Sequence, residues 1–332
     1  HARSVVAGSL GVGDPRNIAF VPGATFGLNF VLKGFLKPGD KVLVSIAEHN
    51  SVLRPLAELE ALGVELIWMK SDVVGRVDVE WVKKFFASGQ RAAAIVCQQG
   101  SNVTGILQPI EELCALGDCY NAAVIVDGSQ AGGHLPLNLD NLQPSARVCS
   151  GHKGLRGIKG VGIVYLREDF APAPLVTGGT GYGDEKIPEL MRPEAYEAGT
   201  NPLPAIVALG AAIEYAEKTI DTIRAEEVKR ISMFLEGIKE IENVDALGIA
   251  EYNQHLPIVS VVSQGMTPDE LAFTLLKKYG IETRSGVHCA PRLHKHFGTF
   301  KHGGAVRFSF SYATPEEDIH FALQALREIS QK

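Results

Sequence analysis

Residues 126–139, VDGSQAGGHLPLNL, and residues 149–166, CSGHKGLRGIKGVGIVYL, carry the pattern that decides the fold. An apolar run over 123–127 ends on Asp127, and a second, Arg147–Cys149, ends on Ser150, His152 and Lys153. A third run covers Val161–Leu166. Upstream, strand-like runs at 42–45, 64–69 and 91–97 alternate with helical spacing near 50–62, 78–87 and 109–118. Further out, Ile18–Val21 reads as a strand, and Gly23-Ala24-Thr25 opens a helix with Leu28, Val31, Leu32 and Leu36 at helical spacing. Continuous apolar strands separated by helices predict an α/β fold with a mostly parallel sheet covered on both faces.

Downstream, residues 172–204 are rich in Gly and Pro and predict irregular backbone carrying GGTG and AGT. A helical stretch over 204–239, with a break expected around Thr219–Asp221, connects to a second, smaller unit. That unit reads strand (257–262), helix (267–278), strand (281–285), loop, strand (305–309), helix (315–329). The expected division is 1–16 as an N-terminal remnant, 17–220 as the large domain and 221–332 as the small one.

The chain has 332 residues, 45% of them hydrophobic and 21% charged, with a net charge of −6. A disordered chain is excluded by that apolar fraction, and the acidic balance gives no footing for nucleic acid or an anionic membrane. No run approaches the roughly 18 apolar residues of a membrane span. The five cysteines, Cys97, Cys114, Cys119, Cys149 and Cys289, are odd in number and form no C-x-x-C pair. A reducing, cytoplasmic setting is expected. Cys97 and Cys149 read as buried hydrophobes, whereas Cys289 lies in the polar stretch SGVHCAPRLHKH.

In parallel α/β sheets, ligands bind beyond the carboxyl ends of the strands. Each strand end here delivers polar groups: Ala24 and Thr25 after Val21, Glu48 and His49 after Ser45, Ser101 and Asn102 after Cys97. Asp127 and Gln130 follow Val126, and Ser150, His152 and Lys153 follow Cys149. Taken singly, each has a plainer reading: Thr25 as an N-cap, Asp127 as a loop carboxylate, Lys153 as a surface lysine. One cofactor accounts for them together. Pyridoxal 5'-phosphate needs an amine for its aldehyde, a carboxylate for its ring nitrogen, a phosphate cup and a ring-stacking face. Lys153, Asp127, the Thr25 helix start and His49 supply these.

These residues, with FVPGATFGLNFVL, SIAEHNSVLRP, SNVTG, EAGT, RSGVHCAP and AVRFSFSYATPEE in order, resemble the class V, fold-type I pyridoxal-phosphate enzymes of the cysteine desulfurase branch. The resemblance covers almost the whole chain. It implies a large domain built on a mostly parallel seven-stranded sheet and a smaller C-terminal α/β domain. It implies Lys153 as the cofactor lysine and proton shuttle, His49 as stacking residue and acid/base, Asp127 on the ring nitrogen and Gln130 on the phenolic oxygen. Thr25, Ser150, His152 and the Ala24 N–H would hold the phosphate, and Thr200 would reach the phosphate of a neighbouring subunit in a homodimer. Asn102 and Arg307 would bind the carboxylate of L-cysteine, or of L-selenocysteine. Cys289 would take the sulfur as a persulfide and pass it to an acceptor protein. Arg284, His288, Arg292, His294, Lys295 and His296 lie close in sequence and are expected to favour its thiolate.

The short HCAP loop resembles the acceptor-activated group II type. Departures are Asn201-Pro202 in place of Pro then Asn, Phe26 where an acidic residue is common, and Gln99 where His is common. Rival expectations are a selenocysteine lyase, a class V aminotransferase, which would not need Cys289, or a non-catalytic cofactor-binding scaffold. A dinucleotide enzyme is rejected, because the G-x-G at 11–13 precedes its strand. No metal is expected, since His288, Cys289, His294 and His296 lack zinc spacing. The chain starts at His1, and the resemblance implies relatives with a further N-terminal arm, so turnover is expected to suffer more than cofactor binding.

Overall fold

The computed structural model describes residues 1–139, 143–181 and 192–331. A seven-stranded sheet carries β1 (Ile18–Val21), β2 (Lys41–Val44), β3 (Glu65–Trp68), β4 (Ala94–Gln98), β5 (Ala123–Asp127), β6 (Ala146–Ser150) and β7 (Gly162–Leu166). Its order is β1-β7-β6-β5-β4-β2-β3. Pairing from β3 through β6 is parallel, and β7 runs antiparallel to both of its neighbours. The helices of this half are α1 (Ala2–Ser9), α2 (Ala24–Phe35), α3 (Asn50–Ala61), α4 (Val79–Ala87) and α5 (Ile110–Tyr120).

Alternation along the strands sorts the core onto two faces. Val42, Val44, Val96, Ile125 and Val148 pack with Leu28, Val31 and Leu56 of α2 and α3. Leu43, Ile95, Val124 and Val126 pack on the other face with Phe85, Phe86 and Leu113 of α4 and α5. Both faces are covered, which is why the strands read as unbroken apolar runs.

The long helix α6 (Leu203–Lys239) leads to a four-stranded sheet of β8 (Val244–Ala246), β9 (Ile258–Ser263), β10 (Arg284–Gly286) and β11 (Ala305–Ser309). Its order is β10-β11-β9-β8, antiparallel throughout. Helices α7 (Pro268–Tyr279), α8 (Pro291–His296) and α9 (Glu316–Ser330) complete the element order. Phe234 and Leu235 of α6, with Leu275 and Leu326, pack against Val259, Val261 and Phe308.

Four local expectations change. The break around Thr219–Asp221 is absent: α6 runs through it, and Thr219 Oγ1 donates to the Tyr215 carbonyl at 2.8 Å inside the helix. The strand expected at 281–285 starts only at Arg284. Residues 291–296, expected as loop, form α8, whose polar sequence hides its single buried leucine, Leu293. The three-residue strand β8 is too short to signal itself. Of the irregular stretch 172–204, residues 182–191 lie outside the described residues.

Candidate active site

The carboxyl ends of β1, β4, β5 and β6 converge on a cavity of about 370 Å³. Ala24, Thr25, His49, Asn102, Asp127, Gln130, Ser150, His152, Lys153 and Arg307, all expected at the site, line it. Register explains the convergence: Gln98 pairs with Asp127 across β4 and β5, and Ser150 pairs with Gly162 across β6 and β7.

At one end lies the start of α2. Gly23 is its N-cap with φ 94°, a left-handed setting that favours glycine, and no side chain caps the helix. Thr25 is therefore not the cap: its hydroxyl and the first-turn N–H groups are left for an anion. β7 passes close beneath, because a Cβ on Gly162 would sit 2.7 Å from the Gly23 carbonyl carbon. Across the cup, Ser150 Oγ and His152 Nδ1 are 3.3 Å apart.

Asp127 is 5% exposed and accepts the Ser129 N–H on Oδ1 at 2.9 Å, which leaves Oδ2 for a ligand. Lys153 reaches the open space of the cavity although protein surrounds its amine on most sides. Burial pulls its pKa down; Asp127 opposes the shift, while Arg307 and Arg284 add to it. His49 accepts the Ser51 N–H on Nδ1 at 3.0 Å, and burial lowers its pKa. The ring is thus neutral, with its remaining proton on Nε2.

Beneath them is Glu48, fully buried. Its Oε1 accepts from Ser45 Oγ at 2.5 Å and from the Gln98 N–H at 2.7 Å, and its Oε2 has no partner among the described residues. Burial, reinforced by the neighbouring charge of Asp127, pushes its pKa up to about 8. Glu48 is a neutral acid at pH 7.

The far wall comes from the smaller sheet. Arg307 donates through Nη1 to the Asn102 carbonyl at 3.1 Å, and its buried Nε has no partner. An unpartnered guanidinium edge on a cavity wall suits a carboxylate. One N–H of Asn102 is committed to the His288 carbonyl at 2.6 Å. Arg284 and His288 also line the cavity, whereas their sequence position suggests only a share in the charge around Cys289.

Cys289 does not line the cavity, and neither does Thr200, which is expected at a neighbouring subunit's phosphate. Cys289 is half-buried in the loop before α8, its carbonyl accepting the Asn50 N–H at 2.7 Å. Thr200 is exposed and lines a separate hollow of about 160 Å³ with Phe26, Val161, Leu175 and Val176. The basic cluster around Cys289 is also weaker than its sequence suggests. Burial holds both His288 and His294 to about 4, so both are neutral, and the Arg292 guanidinium stacks on Trp68 at 3.3 Å.

The cavity therefore offers a helix start suited to an anion at one end, an amine and a carboxylate at its centre, and an arginine suited to a carboxylate at the other. Among the described residues, no three His, Cys, Asp or Glu side chains converge as metal ligands, and no helix is long and apolar enough to cross a membrane.

A probable cysteine desulfurase of Pyrococcus abyssi is 31% identical, aligning 99% of this chain with 82% of that protein. The apo structure of a cysteine desulfurase from Thermococcus onnurineus superposes with a TM-score of 0.91 at 30% identity, covering 99% of this chain and 83% of the other. The fold is shared as well with a cysteine desulfurase from Escherichia coli, at TM-score 0.89 and 23% identity over 99% of this chain and 83% of that one. The family model for class-V aminotransferases matches residues 1–321, and the chain belongs to that family.

Proposed function

We propose that this chain is a pyridoxal-phosphate-dependent cysteine desulfurase, converting L-cysteine to L-alanine and taking the sulfur onto Cys289 as a persulfide. The observation that carries this reading is the placing of Lys153, Asp127 and Arg307 around one cavity, with Cys289 in the adjoining loop.

The residues fit the cofactor on structural grounds. The uncapped start of α2, with Thr25, Ser150 and His152, would hold its phosphate, and Oδ2 of Asp127 would hold its ring nitrogen. Lys153 would carry it covalently, His49 would lie against the ring, and Gln130 would reach the phenolic oxygen. Once bound, the group supplies an electron sink for the substrate Cα and Cβ.

The chain's own groups do the rest. Burial and the nearby arginines keep the Lys153 amine inclined to be neutral, able to take up and return a proton at Cα. Arg307 and the second N–H of Asn102 orient the substrate carboxylate. Sγ of Cys289 attacks the substrate sulfur: the S–S bond forms, the S–Cβ bond breaks, and the pair left at Cβ takes a proton to give the methyl group of L-alanine.

Thr200 lies away from the cavity beside exposed Leu175 and Val176, which supports a homodimer in which it serves the partner's phosphate. The persulfide would then pass to a protein acceptor. Adding pyridoxal 5'-phosphate to the purified chain should give a visible absorption band, and Lys153→Ala should lack it. A wild type with no band would overturn the reading.

A further inference from the structure

His288 and His294 hold two buried nitrogens that nothing in the described structure satisfies. His288 is 3% exposed and His294 is fully buried, and their rings lie 5.6 Å apart. Nε2 of His288 is 2.9 Å from the Arg284 carbonyl, which can only accept, so Nε2 bears the proton and Nδ1 a lone pair. Both Thr299 contacts of His294 are satisfied together only when its hydroxyl donates to the His294 carbonyl at 3.3 Å and accepts from Nδ1 of His294 at 2.8 Å. The lone pair of His294 therefore sits on Nε2. Nδ1 of His288 and Nε2 of His294 are both buried without a partner. Two neighbouring acceptors with no donor form an arrangement that a proton, or a group delivering one, would satisfy.

We propose that His288, backed by His294, is the proton acceptor at the sulfur end of the cavity. This rests on the desulfurase reading. His288 lines the cavity, precedes Cys289, and has its carbonyl held by Asn102, next to Arg307. Under the proposed function, a substrate with its carboxylate on Arg307 and its sulfur reached by Cys289 would bring that sulfur toward the loop that holds this ring.

The reaction also needs such a group. An enzyme thiol plus HS–CH2– becomes enzyme S–SH plus –CH3, so one proton moves from sulfur to Cβ. As the S–S bond forms and the S–Cβ bond breaks, a sulfur-bound proton passes to Nδ1 of His288, its S–H pair staying on sulfur. The same proton then goes to the pair at Cβ. His49 is the complement, since its Nδ1 is occupied and its free edge donates.

The charges facing His288 come from β10 and β11, namely Arg284 and Arg307, with neutral His294 facing it from α8. Both arginines oppose its protonation. A substrate carboxylate on Arg307 offsets part of that opposition, so the ring becomes a better base when substrate is bound. His294 is a positioning residue, its ring packed against that of His288 from α8.

The test compares wild type, His288→Asn and His294→Gln. Asn is chosen because His288 has φ 49°, which Asn tolerates. The variant should keep its melting temperature and cofactor band. Its kcat for L-cysteine should fall about 100-fold with little change in KM, and the acid limb of the pH profile should flatten. His294→Gln should lose about tenfold and shift that limb. Separately, nitrogen-15 NMR of the cofactor-free chain at pH 7 should show the Nε2–H form of His288 and the Nδ1–H form of His294. Wild-type kcat in a folded His288→Asn, or the opposite tautomers, would overturn the proposal. If His288→Asn does not fold, an unaltered pH profile in His294→Gln would overturn it. A wild type that binds cofactor yet makes no alanine would instead overturn the desulfurase reading, leaving the tautomers to be judged by NMR.

Discussion

Asn102 Nδ2 donates to the carbonyl of His288 at 2.6 Å, joining residues 186 positions apart. The bond fastens the loop after β4 to the loop that carries Cys289, the proposed nucleophile. That loop needs fastening, because His288 and Cys289 adopt φ 49° and 58°, left-handed conformations that cost energy for residues other than glycine. Asn102→Ala should therefore lower kcat at least tenfold, by freeing Cys289 and by removing a carboxylate ligand, and cost about 1–2 kcal/mol of stability. The cofactor band should stay. Steady-state kinetics beside an absorbance spectrum checks this, and an unchanged kcat would show that the bond has no part in turnover.

Glu48 makes the folded chain sensitive to alkali. Its pKa stands at about 8 against an ordinary 4.5. Between those values the folded chain keeps a proton that the unfolded chain releases. The contribution to stability thus falls as pH rises from 4.5 to about 8, by at most about 1.4 kcal/mol per pH unit. Glu48→Gln keeps the neutral shape and removes the slope. Urea midpoints across that range should decline less in the variant than in wild type; parallel declines would show that Glu48 is not the group responsible.

Gly162→Ala should damage the phosphate cup. The new Cβ would meet Gly23 Cα at 2.9 Å and the Ala24 nitrogen at 3.0 Å, so the start of α2 must move. Cofactor affinity should fall at least tenfold in an absorbance titration, with β6 and β7 still paired. Wild-type affinity would mean that the cup shifts at little cost.

Arg307→Lys keeps the charge but loses the planar fork. KM for L-cysteine should rise about tenfold with kcat less affected, as for a group that binds ground state and transition state alike. A fall in kcat at constant KM would place Arg307 elsewhere in the reaction.

Much of this was legible in the sequence for one physical reason. A parallel strand buried on both faces must be apolar throughout, so the first polar residue after it marks the ligand side. Asp127, Ser150 and Lys153 follow that rule and line the cavity, and the strands 123–127 and 305–309 have the expected limits. What depended on burial was hidden. His288 and His294 look cationic in SGVHCAPRLHKH, yet tertiary packing makes them neutral. Glu48 looks like an ordinary charged neighbour of His49 until its burial without a cation partner among the described residues is seen.

The most direct test of the central claim is turnover of L-cysteine by the cofactor-loaded chain, wild type against Cys289→Ser, with alanine and sulfide measured under a thiol reductant. The account predicts equal amounts of alanine and sulfide from wild type, and a Cys289→Ser variant that keeps the cofactor band but releases no sulfide; any transamination would persist in the variant. Loaded wild type that forms no alanine, or a variant with undiminished sulfide release, would contradict it.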